Sequence, residues 1–342
     1  MIAAWVSLHR AAGCSLRAKK AALLENGENP TAVLDFLRQK GIRSNESEDK
    51  LVMEQVKKLN GWIMTFKDED YPELLKEIAD PPLCLFGVGD RSALSRPTIA
   101  FVGTRRPTQY GFNACSKLIR ELSPAHPVIV SGMASGIDTR AHFSALENKL
   151  QTVAVMGTGL NVVYPRENRE LFQSIVKNGA VVSECDPDTK PEPFRFPVRN
   201  RIISGISTGV VIVEAREKSG TLITMRLALE QNHEVFAVPG RLFDRASVST
   251  NRAIRNGEAK LITCANDILE ELIAFDILGK SDTVVPESAP GLLGYLDETA
   301  RSIDELEALS GLSRNQILME ITMLEMDSRI EKNGANQFRK RV

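Results

Sequence analysis

Four apolar runs in the middle of the sequence each end in a turn that carries glycine or basic residues. They occupy residues 99–106 (IAFVGTRR), 128–138 (VIVSGMASGID), 153–160 (VAVMGTGL) and 210–221 (VVIVEAREKSGT). Short apolar runs bounded by such turns are typical of parallel β-strands that are buried on both faces. Because amphipathic stretches of helical length separate these runs, the pattern predicts a doubly wound α/β sheet over residues 98–275.

The region before the sheet is predicted to be helical. Helical periodicity in short pieces, broken at residues 27–30, indicates a small helical domain over residues 1–65. Residues 66–97 are expected to form a connector with one short apolar strand. Helix pairs of this kind hold nucleic-acid backbone in some proteins, but no basic cluster is present here, which favours simple packing against a neighbouring domain.

The region after the sheet predicts a winged helix. A charged, proline-bearing stretch at residues 276–290 indicates a linker, and residues 291–342 then give three helical segments and a hairpin. The helix in the recognition position, residues 314–327, sets Arg314 against Glu320, Glu325 and Asp327. That charge favours a protein contact over a phosphate groove, although the basic end at residues 338–341 keeps DNA binding open.

The overall charge limits the kind of nucleic-acid site the chain can have. Lys and Arg number 43, Asp and Glu number 44, and the net charge is −1. A phosphate-binding site must therefore be a local concentration of basic residues. The five cysteines lie far apart without a CxxC pair, which argues against zinc and disulfides. With neither a signal peptide nor a membrane span evident, we expect a cytoplasmic protein without a metal and without membrane contact.

The turns after the predicted strands are expected to meet at one edge of the sheet, where helix N-termini and free backbone N–H groups bind anions. The first turn carries Gly103, Thr104, Arg105 and Arg106. A second turn at Gly132 would by itself be interpreted as a tight strand-to-helix connection, with Asp138 capping the helix. The arginines of the neighbouring turn favour a phosphate-bearing ligand instead.

Residues 194–201 (FRFPVRNR) are the sharpest local feature. They comprise the basic residues Arg195, Arg199 and Arg201, the aromatic residues Phe194 and Phe196, and Asn200. Interleaved rings and guanidinium groups suit a single-stranded nucleic acid, which offers base faces for stacking and a regularly charged backbone. The alternative is a solvated basic loop whose phenylalanines are core anchors. Lys218 and Ser219, before the next helix, are expected to contact a further phosphate.

The sequence offers little for catalysis or for a bound cofactor. The GTG turn at residues 157–159 resembles a dinucleotide fingerprint, but Val162 stands where a small residue is needed. The turn at residues 218–221 lacks the spacing of an ATP-hydrolysing loop. Glu184 and Glu214 are interpreted as caps or arginine partners rather than as acid–base residues. We therefore expect neither a cofactor nor enzymatic activity.

Taken together and in this order, the motifs resemble the DNA-processing protein A (DprA, also called Smf) family of bacteria. The matching segments are FVGTRRPTQYG, SGMASGIDTRAH, GTGLNVVYP, FPVRNRIISGIS, VEAREKSGTLIT and FAVPG, between residues 99 and 240. The resemblance implies an extended Rossmann-like fold with an N-terminal SAM-like helical domain and a C-terminal winged helix. It also implies a homodimer that binds and protects single-stranded DNA and loads the recombinase RecA onto it during natural transformation.

The resemblance assigns phosphate contacts to residues of the edge turns and base stacking to one ring of the Phe194/Phe196 pair. With Arg106 and Ser219 added from the residue pattern, the predicted DNA-binding set is Gly103, Thr104, Arg105, Arg106, Gly132, Phe194, Phe196, Arg199, Asn200, Arg201, Lys218 and Ser219. The sequence departs from the family pattern at Ser135, where arginine is common, at the pair Asn232 and His233, and at residues 249–251.

Two other functions stay open from the sequence alone. A Rossmann-like nucleotide enzyme of the phosphoribohydrolase type would need a PGGxGTxxE element, and residues 239–241 lack its second glycine and its acid. An adaptor that binds only protein would leave the sheet edge empty.

Overall fold

The structure of the chain is a computed structural model. It describes residues 2–42, 44–272, 295–296 and 301–310, together with residues 314, 317–318, 321, 324, 330–332 and 337–340. By its internal contacts the chain divides into Met1–Leu278 and Gly279–Val342. The finer domain boundaries predicted above stay a prediction, and the predicted linker at residues 276–290 lies outside the described residues.

The larger unit begins with short helices that pack together. They are α1 (Ile2–Arg10), α2 (Leu16–Glu25), α3 (Pro30–Gln39) and α4 (Glu46–Lys58). The predicted break before α3 is confirmed: the Asn29 side chain accepts hydrogen bonds from the amides of Thr31 and Ala32, and Pro30 takes the first helical position. The apolar faces are buried, as at Trp5, Leu8, Leu23, Val33 and Val56.

These helices also pack on the sheet that follows. His9 Nε2 lies 2.9 Å from the carbonyl oxygen of Glu184, and Arg10 Nε donates to the Asp186 carboxylate at 3.0 Å. Burial lowers the pKa of His9, although the Glu184 carboxylate acts in the opposite direction. The contacts agree with the packing role that the sequence favoured for this region.

A nine-stranded sheet forms the centre of the larger unit, with the strand order β1-β2-β6-β5-β4-β3-β7-β8-β9. The strands are β1 (Trp62–Thr65), β2 (Cys84–Gly89), β3 (Thr98–Val102), β4 (Val128–Ser131), β5 (Thr152–Met156), β6 (Gly179–Ser183), β7 (Gly209–Ile212), β8 (Glu234–Ala237) and β9 (Lys260–Leu261). Strands β3 to β9 pair in parallel, and β2 joins β6 in antiparallel orientation. The predicted doubly wound α/β fold is confirmed.

Helices cover both faces of this sheet. They are α5 (Glu73–Glu77), α6 (Gln109–Leu122), α7 (Ile137–Glu147), α8 (Arg169–Asn178), α9 (Arg195–Gly205), α10 (Thr221–Glu230), α11 (Val248–Arg255) and α12 (Asn266–Leu269). In β3 the side chains alternate: Ile99 and Phe101 pack with α6, α7 and α12, whereas Ala100 and Val102 pack with α8, α9 and α10. No helix in the described part of the chain is long and apolar enough to cross a membrane.

The connector contributes more to the sheet than the sequence indicated. One short strand was expected over residues 66–97, but β1 lies just before this region and pairs with β2 in antiparallel register. The Trp62 ring packs over Gly87, where a Cβ atom would overlap the indole. Its Nε1 donates to the carbonyl oxygen of Gly89 at 2.9 Å. This pair extends the sheet beyond β6.

The smaller unit has its own core. Its described elements are β10 (Arg301–Ser302), α13 (Ile303–Ser310), β11 (Ile330–Lys332) and β12 (Gln337–Lys340), and the strand order is β10-β12-β11. Ile303, Leu306, Ile317, Ile321 and Phe338 are buried together. Most of the predicted helix at residues 292–297 and the predicted wing turn at Gly334 lie outside the described residues. The winged helix therefore stays a prediction.

Candidate nucleic-acid interface

The order in which strands are added to the sheet reverses at β3, which is a topological switch point. From β3 it proceeds outward through β4, β5 and β6, and then returns to add β7 and β8 on the other side of β3. Ligands of open α/β sheets bind at the carboxyl ends of the strands flanking such a switch point. A cleft of about 690 Å³ lies there, between the turns after β3 and β7 and the start of α9. We call it the switch-point cleft.

The turn after β3 forms one wall of this cleft and is fixed by its neighbours. The Thr104 amide donates to the Glu214 carbonyl oxygen at 2.8 Å, and the Ile137 amide donates to the Thr104 carbonyl oxygen at 3.2 Å. Gly136 has a φ of +87°, and a Cβ atom there would overlap the Thr104 carbonyl oxygen. The side chains of Arg105 and Arg106 are left exposed at the rim.

The turn after β4 is closed by a buried carboxylate. Asp138 Oδ2 accepts hydrogen bonds from the amides of Gly132, at 3.2 Å, and Ala134, at 3.4 Å. Asp138 thus closes the turn at the start of α7, the role it has in the alternative interpretation of this turn as a tight strand-to-helix connection. Burial raises its pKa to about 6, and the nearby Arg199 guanidinium opposes that shift.

Arg199 lines the cleft from beneath rather than from its rim. Its side chain is buried, and Nη1 donates to the carbonyl oxygens of Gly132, at 2.7 Å, and Val155. A Cβ atom on Gly132 would lie 2.6 Å from Nη2 of the same guanidinium, so glycine is what lets the arginine approach the turn. Burial lowers the Arg199 pKa to about 10, which leaves the group cationic at neutral pH.

Aromatic rings form the other wall. The Phe196 ring lies 5.5 Å from the Tyr164 ring, centroid to centroid, and the Arg105 guanidinium carbon lies 5.7 Å from the Phe196 centroid. Both rings line the cleft. Phe194 does not: it is 61% exposed and lies beneath the Arg195 guanidinium, 5.0 Å from the ring centroid. Neither phenylalanine is a core anchor.

The turn after β7 closes the cleft on the side of α10. Lys218 and Arg216 are exposed there. Ser219 Oγ accepts a hydrogen bond from the Thr221 amide at 3.2 Å, at the start of α10. A phosphate at this helix start would meet backbone amides and the Lys218 ammonium group together.

A family model described as DNA recombination-mediator protein A matches residues 62–273, the segment that builds this sheet and cleft. The chain belongs to this family. It is 48% identical over 205 residues to DNA processing protein DprA of Bacillus subtilis strain 168, covering 60% of this chain and 69% of that protein. It is 44% identical over 204 residues to DprA of Streptococcus pneumoniae, covering 60% of this chain and 72% of that protein.

Solved DprA structures have the same fold. The X-ray structure of DprA from S. pneumoniae superposes with a TM-score of 0.68 at 34% identity, covering 78% of this chain and 96% of that one. The DprA structure from Helicobacter pylori, reported with a unique single-stranded DNA binding mode, gives a TM-score of 0.56 at 33% identity, with 62% and 95% covered. The family resemblance drawn from the sequence motifs is confirmed.

Most of the predicted site residues do meet at the switch-point cleft. Those that line it are Gly103, Thr104, Arg105, Arg106, Phe196, Arg199, Asn200, Lys218 and Ser219. Gly132 lies directly beneath Arg199, and Phe194 lies beyond the cleft wall. The part that each residue has in binding DNA stays a prediction.

Arg201 does not line the cleft either, and its guanidinium is already paired, contrary to the expectation that it is available to a phosphate. Its side chain is 4% exposed and forms ion pairs with Glu184 at 2.6 Å and Asp80 at 3.0 Å. The interpretation of the strand-end acids is confirmed by the same contact. Glu214 likewise holds Thr108, the residue that caps α6, accepting from the Thr108 amide at 2.9 Å and its hydroxyl at 2.5 Å.

Two cleft residues whose side chains suit a nucleic acid, Tyr164 and Arg216, were not identified from the sequence. Tyr164 is distant from residues 194–201 in the chain and meets Phe196 only in the folded structure. Arg216 lies within a matched family segment, and its position two residues before Lys218 on an edge turn was a usable signal.

Proposed function

We propose that this chain binds single-stranded DNA along the switch-point cleft. One observation carries the proposal: Arg105, Arg106, Arg216 and Lys218 surround the cleft, and among the described residues none of these four side chains has an ion-pair partner. Cations of this kind are available to phosphates. The Phe196 and Tyr164 rings supply faces on which unpaired bases stack.

The rings favour a single strand over a duplex. Bases in a duplex already stack on one another, so a ring set in a cleft wall contacts a base face only when the strand is unpaired. The DprA structure from H. pylori, with its single-stranded DNA binding mode, gives independent support.

The same cleft favours binding without chemistry. Three carboxylates at this edge that are buried or half-buried are already engaged: Asp138 with turn amides, Glu184 with Arg201, and Glu214 with Thr108. A phosphoribohydrolase reaction needs an available acid beside the substrate, so these contacts speak against that alternative. In the described part of the chain, no group of three or more His, Cys, Asp or Glu side chains is arranged to hold a metal ion.

Family membership extends the proposal to partners. The chain would act in the cytoplasm as a homodimer and load the recombinase RecA onto the strand it holds, as a recombination mediator does. Exposed, unpaired cations in the cleft suit such a role because electrostatic contacts exchange with salt and competing ligands.

A gel-shift comparison tests this function. The full chain is titrated against a single-stranded oligonucleotide and the matching duplex, with RecA present or absent. We expect binding of the single strand at lower protein concentration than the duplex, and faster RecA filament formation on the protein-bound strand. Equal binding of both DNAs would contradict the assignment of the cleft as a single-strand site. An unchanged rate of RecA filament formation would contradict the proposed RecA loading.

A further inference from the structure

The loop after β8 carries the two most exposed large apolar side chains in the described part of the chain. Phe243 is 95% exposed and Leu242 is 82% exposed. Large apolar side chains that are exposed to solvent and held in a fixed position indicate a binding site for another molecule. We call residues 240–246 the β8 loop.

The β8 loop is held at its base. Asn251, on α11, bonds to both backbone groups of Gly240: its Oδ1 accepts from the amide and its Nδ2 donates to the carbonyl oxygen, each at 3.0 Å. Within the loop the Asp244 amide donates to the Arg241 carbonyl oxygen at 3.1 Å, and Asp244 Oδ1 accepts from the Ala246 amide at 2.9 Å. The Phe243 ring is therefore projected from a bonded turn.

This loop continues the edge on which the switch-point cleft lies. Strand β8 is parallel to β7, so its carboxyl end is at the same edge, two strand spacings or about 10 Å from that of β3. Ser249, at the start of α11, bonds to the turn after β7 through the carbonyl oxygens of Ala215, at 3.1 Å, and Arg216, at 3.0 Å. The cleft and the loop are thus attached to one another.

The charges of the loop indicate what it contacts. Arg241 and Arg245 flank Phe243, both are exposed, and within the described residues neither guanidinium has an ion-pair partner. A ring between two available cations repeats the combination found in the cleft. Charge complementarity and continuity with the cleft both point to a polyanion with stackable faces.

We propose that the β8 loop is a second nucleotide-binding element, at which Phe243 stacks on a base and Arg241 and Arg245 contact the adjoining phosphates of the strand leaving the switch-point cleft. This inference rests on the proposed function. It extends the DNA path across the β7 and β8 ends of the sheet.

Substitutions at Phe243 test the ring rather than its apolar character. Binding of the full chain to fluorescently labelled oligothymidylates of increasing length is followed by anisotropy for F243L, F243W and the control F36L, which removes another exposed ring, on α3. We expect F243L to bind long oligothymidylates about tenfold more weakly. F243W and F36L should bind normally, and the new indole fluorescence should be quenched by the strand.

Length and salt give two further readouts. Oligothymidylates short enough to occupy only the cleft should bind F243L and the unaltered chain equally. Replacement of Arg241 or Arg245 by glutamine should reduce the slope of log affinity against log salt by about 0.7 for each phosphate that the variant no longer neutralises.

The outcomes separate this inference from the proposed function. If R105A and K218A weaken binding but F243L binds strands of every length normally, the β8 loop is not a nucleotide-binding element and the cleft stands. If F243L alters only the association of protein copies, the loop contacts protein and the inference is overturned. If R105A and K218A leave affinity unchanged, the proposed function itself fails.

Discussion

At the residue scale, the basic side chains around the carboxyl edge differ in what already neutralises them. Arg201 is enclosed by two carboxylates and Arg199 donates to a turn carbonyl oxygen, whereas Arg105 packs on an aromatic ring and has no ion-pair partner among the described residues. Only a cation without an internal partner gains a full Coulomb interaction when a phosphate arrives. We therefore expect Arg105 to affect DNA binding and Arg201 to affect folding.

Substitution of Arg201 by alanine tests this division. Removal of one member of a buried pair leaves the Glu184 carboxylate without its cation, and we expect the free energy of unfolding to fall by about 3 kcal/mol in denaturant titration. The folded variant should bind single-stranded DNA with the same salt dependence as the unaltered chain.

A second substitution serves as the control. In R201A/E184Q the uncompensated charge is gone, so part of the stability should return. A stable R201A variant with a reduced salt slope would place Arg201 in the DNA site after all.

His142 predicts a pH dependence of stability. Its Nδ1 lies 2.7 Å from the Thr152 hydroxyl, which donates to the Ile129 carbonyl oxygen, so Nδ1 carries the hydrogen and the buried Nε2 is bare. Burial lowers the His142 pKa from 6.5 to about 3. Below about pH 6.5 His142 binds a proton in the unfolded chain but not in the folded chain. The free energy of unfolding is therefore highest above that pH and decreases on acidification.

The variant H142N isolates this effect, because its amide donates to Thr152 but does not titrate. Between about pH 7 and about pH 5, the unfolding free energy of the unaltered chain should fall by about 2 kcal/mol more than that of H142N. Asp138, with its raised pKa, acts in the opposite direction but is present in both proteins. Parallel pH profiles would show that His142 is protonated in the fold.

At the element scale, the cleft depends on the contact between two edge turns. Gly136 belongs to the turn after β4 and packs against the Thr104 carbonyl oxygen in the turn after β3, with a φ of +87°. Both the space and the backbone angle require glycine. The position of Arg105 is therefore set by a residue of the next strand–helix connection.

The variant G136A should separate these turns. We expect a loss of at least about 2 kcal/mol of stability and weaker single-strand binding, measured by thermal unfolding and anisotropy. Gly41 provides the matched control, since its φ of +80° is similar but nothing lies within 4 Å of a Cβ atom there and it does not line the cleft. If G136A and G41A bind single strands alike, the contact between the turns does not position the cleft.

The secondary-structure elements also explain which parts of the site could be predicted from the sequence. Strands β3, β4, β5 and β7 are continuous apolar runs with glycine or basic turns, and their register in a parallel sheet brings the turns together. Strand β1 was missed because its four residues follow a helical pattern closely, with only the Asn60–Gly61 turn between them. Its pairing depends on β2, whose residues are about twenty positions away along the chain.

The error at Arg201 has a geometric origin. No helix was predicted over residues 194–201 from the sequence, but α9 already begins at Arg195. At about 100° per residue, Arg195 and Arg199 share a face of that helix, whereas Arg201 points about 200° away from Arg199. The three arginines are close in sequence, but the helix directs Arg201 to a different face from the other two. Tyr164 required a long-range contact that no local pattern contains.

At the scale of the whole molecule, a net charge of −1 makes the location of the cations decisive. No long-range field attracts a polyanion to the chain as a whole, so affinity depends on the few contacts at the carboxyl edge of the sheet. The opposite edge provides an internal comparison: Lys177 is exposed in the last turn of α8, which leads into the amino end of β6. The central claim is that the phosphate contacts are confined to one edge.

The salt dependence of binding to a single-stranded oligonucleotide tests that claim most directly. It is measured for the unaltered chain, for R105A/K218A and for the opposite-edge control K177A. We predict that the slope of log affinity against log salt falls by about 1.4 in R105A/K218A, the equivalent of two phosphate contacts, and is unchanged in K177A. An unchanged slope in R105A/K218A, or an equal fall in K177A, would contradict a DNA site at the switch-point cleft.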